Sequence, residues 1–513
     1  MNRDLHKISQ YSSGFQETRW ATQDEIKSSA TRVDLSDDKF TGCGLPLIAN
    51  TKRIYLDDSD THSLIIGSTG SKKTRLFCMP MVHTMINAGE SFVVTDPKGE
   101  IYDATSGLAQ ENGYDVVLLN YRDLEQGDMW NPLKEPALLY KQGHIDEATS
   151  MLNDFVEAIS MEASMRTNDV FWVNSARMIS VAVLLIMMDV CSFDEINVKT
   201  FSRMCVEFGK VEDPVTNKML EIPESEWEKN YLDEIMKIIP QESIAALNYF
   251  AVGRSHEKTR ADMQSSLFAF VKPFLLQRRL IRNLSETTFD IRSIGRKKTA
   301  IYIVVPDERS TYHFIVTSFV KQCYELLITE AQKETTKSLP VRVNFVLDEF
   351  SNTPAISDMP AMITAARSRN IRFYLVVQSM HQLFKRYNQD AETIKGNCEN
   401  WVFLASKELN LLEELSKMCG NTRTYEPHEI QRPLITVSEL QKLKKDKGEA
   451  LLFYARHYPF VTHLPDISEY GFTQKPPAVS NNIRQDDVNS IGPRELFEEI
   501  ECGRRPVPFA GLL

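Results

Sequence analysis

At 513 residues the chain is long enough for two or three domains, and its 42% hydrophobic and 25% charged content is that of an ordinary globular protein. A formal net charge of −11 excludes a surface that coats nucleic acid over its whole extent, because such binding works by neutralising phosphates; a local basic channel stays open. The eight cysteines are scattered without a Cys-x-x-Cys pair, which points to reduced, mostly buried thiols of a cytosolic protein and away from a structural zinc site.

Residues 1–45 read as a loosely structured lead-in, too polar before Gln23 for a signal peptide, with one short helix at Trp20–Ile26 capped near Thr22 or Asp24. Short strands are expected between Leu47 and Leu56. The stretch Ser63-Leu-Ile-Ile-Gly-Ser-Thr-Gly-Ser-Lys-Lys-Thr-Arg75 then has the order strand, phosphate loop, helix. Gly67 and Gly70 let the backbone curl so that amides face an anion, with Ser68, Thr69, Ser71, Lys72 and Arg75 completing the loop. Lys73 can reach the β- and γ-phosphates of ATP, and the Thr74 hydroxyl can sit on Mg²⁺. The pattern G-x-x-x-x-G-K-[ST] is broken at Lys72, where glycine is required; a side chain there is expected to crowd the phosphates. On these residues alone, a Gly/Ser loop joining a strand to a helix without a nucleotide stays open.

A helix from Thr74 to Ala88 should end at Gly89. The apolar run Ser91–Thr95 predicts a buried parallel strand, and the turn Asp96-Pro-Lys-Gly99 falls at its carboxyl end, where open α/β sheets hold ligands; the same residues are also ordinary turn chemistry. A helix from Glu100 and a strand to Asn120 continue the alternation of a parallel sheet. After Asn131-Pro-Leu133 the rhythm turns helical, and 135–285 reads as an all-α insertion with a polar loop at 210–226. The longest apolar run, Ile179–Met188, is short of the ~18–20 residues that span a bilayer.

The sheet resumes at Lys298–Pro306 and continues with Val341–Leu347, Ile371–Val377, Trp401–Ser406 and Ala450–Tyr454. An extended tail is expected beyond Pro476. The strand before Asp348-Glu349 delivers Asp348 to the Mg²⁺ shell and Glu349 to the attacking water as general base. Taken alone, such a pair is a solvated turn; behind a phosphate-loop strand it reads as catalytic. Gln378, ending the next strand, can sense the γ-phosphate. Arg367 can act as a finger on a neighbouring subunit's nucleotide if the chain forms a ring, or can be a solvated loop charge.

The phosphate loop, Thr95–Glu100, Asn131–Leu133, Phe171-Trp172, Val346–Glu349, Arg367, Gln378-Ser379, Asn397–Asn400 and Leu434–Leu440 occur together and in order. This set, covering about residues 15–470, resembles the type IV coupling proteins of conjugation and type IV secretion. The resemblance implies a RecA-like P-loop ATPase domain (46–134 and 286–475) carrying the all-α insertion, preceded by the lead-in and followed by a tail at 476–513. It implies ATP and Mg²⁺, homo-hexamers at the inner membrane, and transfer of a relaxase–DNA complex or secreted protein cargo, recognised by the all-α domain, to inner-membrane secretion components. Nucleotide contacts fall to Gly67 through Arg75 and Asp96, metal contacts to Thr74 and Asp348, and catalysis to Lys73, Glu349, Arg367 and Gln378. The family's N-terminal transmembrane segments are missing from this sequence, so the expected location is cytoplasmic, or peripheral at the inner face of the membrane through a partner. Two other readings stay open: a DNA-translocating hexameric ATPase outside secretion, and a degenerate nucleotide-binding adaptor that does not turn over.

Overall fold

The computed structural model describes residues 18–166, 170–206, 211–212, 219–220, 230–253, 257–425, 429–479 and 488–505. The described chain falls into two compact units. The first comprises residues up to Val116, Ser293–Ile301 and Leu327–Ala478; the second comprises Val117–Arg292, Tyr302–Leu326 and Val479 onward.

Strands rich in β-branched and aromatic residues assemble a nine-stranded sheet. Its order is Phe460–His463, Glu449–Phe453, Cys398–Ala405, His62–Gly67, Ile371–Val377, Val343–Leu347, Ser91–Thr95, Thr299–Val304 and Asp115–Asn120. The strand His62–Gly67 runs parallel to both neighbours, and Val343–Leu347 runs parallel to both of its own. These central strands are buried throughout, as continuous apolar runs in a sheet covered on both faces should be. The fold is the α/β class expected, with a mainly parallel central sheet and a helical part. At one end of the sheet the pairing is antiparallel: Glu449–Phe453 against Cys398–Ala405, and the edge strand Phe460–His463 against Glu449–Phe453. The last of these, and the hairpin Asn421–Tyr425 with Glu429–Pro433, have no counterpart in the sequence reading.

A small antiparallel sheet, Thr31–Asp34, Arg53–Asp57 and Leu45–Ala49, precedes the phosphate-loop strand. Its Val33, Ile54 and Leu56 bury against Phe40 and Tyr470, with Phe472 and Ala88 packed alongside. Tyr470 and Phe472 belong to a strap, residues 464–478, that lies along two helices of this unit. His83 stacks on Phe472 at 4.2 Å, Lys475 pairs with Glu111, and Tyr102 and Ser106 bond both polar groups of the Ala478 backbone. Gly107 is needed where the strap crosses, since a Cβ there would lie 1.9 Å from the Pro476 carbonyl oxygen.

The second unit is mainly helical. Helices Ile145–Arg166, Ile244–Gly253 and Glu257–Leu275 pack against Val170–Val190. That last helix extends the apolar run at 179–188 in the N-terminal direction. By length and composition Phe171–Val190 could cross a membrane, but 67% of its most apolar 18-residue stretch is buried within the protein, as for a core helix. Pro240 separates Tyr231–Ile238 from Ile244–Gly253. The polar loop expected at 210–226 lies largely outside the described residues; Val211–Glu212 and Met219–Leu220 pair there as a short ladder. Within the expected extended tail, Pro493–Glu501 is instead a helix, held by Glu495 on Arg203. Pro493 at its first turn and the Leu496/Ile500 spacing are the local signals for it.

Candidate nucleotide-binding site

The parallel register sets the site. Ile66 pairs with Val377, Leu347 with Leu375, and Leu347 also with Thr95. The next residues of these strands, Gly67, Gln378, Asp348 and Asp96, therefore emerge together at one carboxyl edge.

The loop after Gly67 is tightly wound. A Cβ at Gly67 would lie 2.4 Å from Ser71 Oγ, so a larger residue there would have to displace the Ser71 hydroxyl. Gly70 and Lys72 both take left-handed backbone, with φ of 76° and 66°. Left-handed Lys72 followed by right-handed Lys73 (φ −47°, ψ −53°) turns successive amides toward one point, the geometry of an anion nest. That conformation costs a residue with a Cβ roughly 1–2 kcal/mol, which is why the motif has glycine there. The Lys72 ammonium lies 3.5 Å from Asp466 Oδ2. Thr74–Cys78 then form one π-helical turn before the α-helix Met79–Ala88.

Lys73 is buried and donates to its own Gly67 carbonyl oxygen at 2.6 Å, with Glu349 Oε1 3.9 Å from its ammonium. The Thr74 hydroxyl donates to Asp348 Oδ2 at 2.9 Å, and the Glu349 amide donates to Asp348 Oδ1 at 2.9 Å. Glu349 itself has left-handed backbone, φ 57°, which turns its side chain into the site. Gln378 bridges the two halves: its Nε2 donates to Glu349 Oε2 at 2.7 Å, and its Oε1 accepts from the Thr69 hydroxyl at 3.0 Å. Asn352 Nδ2 also donates to Glu349 Oε2, at 2.8 Å.

Positive charge is short here. Burial, reinforced by the Glu349 charge, pushes the Asp348 carboxyl up to about 6 despite Lys73 and Thr74. Burial pushes Asp96 up to about 7; its Oδ2 accepts from the Tyr102 amide, while its buried Oδ1 has no partner among the described residues. Ser71 Oγ is likewise buried and unpartnered among the described residues. A converging amide nest, an ammonium resting on a carbonyl, a hydroxyl–carboxylate pair and an orphan carboxylate oxygen fit a nucleotide with its divalent cation.

Of the residues singled out in the sequence, Gly67 to Thr74, Asp96, Asp348, Glu349 and Gln378 come together. Lys98 is exposed at the tip of its turn. Arg75 turns to Asp466, donating from Nε at 3.1 and 3.0 Å and from a terminal nitrogen. Arg367 is not brought to its own chain's phosphate loop: it pairs with Asp60 (2.9 Å) and Glu399 at the other end of the six-residue strand, about 20 Å away at ~3.3 Å per residue. Other quoted motifs hold the fold. Asn131 donates to the Ile196 and Ser285 carbonyls, Asn400 donates to Thr61 and accepts from the Ala455 amide, and Thr436 caps the helix Val437–Leu440. Asp466 and Asn352 were absent from the sequence reading; Thr95, read there only as a strand end and the start of a motif, donates its hydroxyl to the Asp348 carbonyl at 2.8 Å. Asp466 heads a capping box with Ser468 and Glu469, a legible turn signal that says nothing of its partner 391 residues away.

The sequence profile of the family described as type IV secretory system conjugative DNA transfer matches residues 19–453. The chain belongs to that family. Two conjugal transfer proteins TraG of Escherichia coli are 23% and 22% identical to it over 431 and 430 residues, 74% of this chain. The chain spans 63% of the length of these curated relatives. Solved structures of the plasmid coupling protein TrwB share the fold. With ADP and Mg²⁺ the TM-score is 0.62 at 13% identity, covering 92% of this chain and 99% of that one; with a non-hydrolysable GTP analogue it is 0.63 at 14% over the same shares.

Proposed function

We propose that this chain is an ATP-hydrolysing coupling protein that recruits a DNA–relaxase complex or protein substrates and delivers them to a type IV secretion or conjugation channel. The observation that carries the reading is the convergence of Lys73, Thr74, Asp348, Glu349 and Gln378 at one sheet edge. The loop amides and Lys73 bind the phosphates, and Lys73 exchanges its Gly67 carbonyl for them. Thr74 and Asp348 would hold Mg²⁺, which would supply charge neutralisation to the phosphates when bound. Glu349 accepts the proton of the attacking water. Gln378, tied to Thr69 and Glu349, reads the γ-phosphate and passes its presence to the strand end. Arg367, remote from its own site, acts on the nucleotide of a neighbouring subunit in a homo-hexamer. The helical unit receives cargo. The location is cytoplasmic, or peripheral at the inner face of the membrane through a partner.

A second reading, nucleotide binding without turnover, draws on Glu349 being engaged by both Gln378 and Asn352. Mg²⁺-dependent ATP hydrolysis by the assembled protein, with and without single-stranded DNA, separates the two. Activity abolished by Lys73→Ala and by Glu349→Gln supports the motor. Binding without hydrolysis, at concentrations where the ring is formed, supports the adaptor.

A further inference from the structure

The loop departs from its motif at Lys72, and the same neighbourhood holds an acid that the motif does not include. Asp466 opens the strap and is held in place before any basic side chain reaches it. Its backbone amide donates to Glu469 Oε1 at 3.1 Å, and its Oδ1 accepts from the Ser468 amide at 3.2 Å and the Ser468 hydroxyl at 2.9 Å. Onto this fixed carboxylate Arg75 places its fork, and Lys72 comes within 3.5 Å. The Asp466 side chain is 14% exposed, against 41% for Arg75 and 36% for Lys72, so the acid is shielded from water while its two partners stay partly open to it. The two anchored residues flank Lys73-Thr74 on either side. One of them, Lys72, holds a left-handed backbone that a lysine does not favour. Farther along, the strap is fixed by the His83–Phe472 stack and by the Ser106 and Tyr102 bonds to Ala478.

We infer that Asp466 is a positioning residue for nucleotide binding: through Arg75 and Lys72 it ties the phosphate loop to the strap and keeps a loop lacking its second glycine in the anion-binding conformation. The inference rests on reading the loop as a nucleotide site. It assigns to the segment after the last sheet strand a part in binding that the loop motif alone does not contain. Asp466 touches two loop side chains and no reacting atom, so its effect should appear in affinity rather than in turnover.

The test is calorimetric binding of Mg²⁺–ADP to the full chain and to Asp466→Asn, Asp466→Glu and Lys72→Gly, with hydrolysis kinetics alongside. Asparagine keeps an oxygen for the Ser468 amide and removes the charge that Arg75 grips. Asp466→Asn is expected to weaken Kd and raise KM about tenfold with kcat within about twofold, a charge-assisted pair being the interaction lost. Asp466→Glu should recover most of that loss. In the Lys72→Gly background the same Asp466→Asn change should cost about threefold or less, because glycine takes the left-handed backbone without an anchored side chain. An Asp466→Asn protein with the wild-type melting temperature that binds Mg²⁺–ADP as tightly as wild type, or more tightly, overturns the inference. So does a loss confined to kcat, or a loss of the same size in the wild-type and Lys72→Gly backgrounds. If Asp466→Asn does not fold, Arg75→Lys, which keeps the charge and loses the fork, takes its place: a raised Kd supports the inference and an unchanged one overturns it. A wild-type protein that binds no Mg²⁺–ADP at all overturns the nucleotide reading, and this inference with it.

Discussion

The first unit carries a buried cluster of charge at each edge of its sheet, and the two are built in opposite ways. At the amino edge, Arg372 is 1% exposed and donates to Glu90 Oε2 at 2.6 Å, Asn344 Oδ1 at 2.7 Å and the Cys43 and Ser59 carbonyls. Arg342 donates to Asp58 Oδ1 and Glu90 Oε1, both at 3.1 Å. Burial pulls the Glu90 carboxyl upward, but the two guanidiniums outweigh it and hold it below the ordinary carboxylate range. Cys43, Asp58 and Glu90 lie close enough together to suggest a metal site. Burial and the Glu90 charge raise the Asp58 carboxyl, but the two arginines oppose this and already supply the charge a metal would bring. At the carboxyl edge, one lysine serves both Asp348 and Glu349, and burial raises Asp348 and Asp96. A cluster that contains its own cations closes on itself and stabilises the fold. A cluster short of them keeps acids raised by burial and suits a cation from solution.

Breaking the closed cluster should have the largest effect on stability. Arg372→Met leaves Glu90 buried beside half its positive charge and should cost about 3–5 kcal/mol in urea unfolding. Adding Glu90→Gln should return more than half of that; a double variant as unstable as the single would mean that packing, not charge, is what Arg372 supplies. At the open edge the effect should move from stability to turnover: Lys73→Ala should lower Mg²⁺-dependent ATP hydrolysis at least ~100-fold, as loss of a phosphate-stabilising charge does.

Asp96 sharpens the contrast through pH. Its folded pKa, about 7, lies above its unfolded value, so the folded state binds the extra proton. The stability tied to that proton is fully present below about pH 4 and is lost as pH rises through about 7. Asp96→Asn should therefore raise the melting temperature of the nucleotide-free protein at pH 8, with the gain shrinking steadily toward pH 5. An equal gain at both pH values would show that the carboxyl is ionised in the fold. The smallest effect is expected for Lys72→Gly. Relief of left-handed backbone and loss of the contact to Asp466 oppose each other, leaving unfolding free energy within about 1 kcal/mol of wild type.

The two edges also differ in how far the sequence reveals them. The open edge is written locally. Gly67 to Thr74 are contiguous, Asp348-Glu349 and Gln378 each end an apolar run, and the αβ rhythm lines those ends up. The closed edge joins Cys43, Asp58, Glu90, Arg342 and Arg372 through strand register, which no local pattern specifies. Asp466 was missed for the same reason. Phe460–His463 and the hairpin after Asn421 escaped notice because they are short, and edge strands need no continuous apolar run. Arg367 was legible as a residue, but its place at the amino edge follows only from the length of the strand between it and the loop.

The apolar helix Val170–Val190 has a consequence for how the protein is made. Its earlier partner, Ile145–Arg166, leaves the ribosome before it, but Ile244–Gly253 and Glu257–Leu275 follow tens of residues later. At ~5–20 residues per second, translation leaves that greasy rod with half its cover missing for several seconds in every round of synthesis. During that interval it has the length and composition of a membrane-targeting signal. The yield of folded chain should therefore depend on elongation speed between codons 190 and 275, a stretch remote from the phosphate loop.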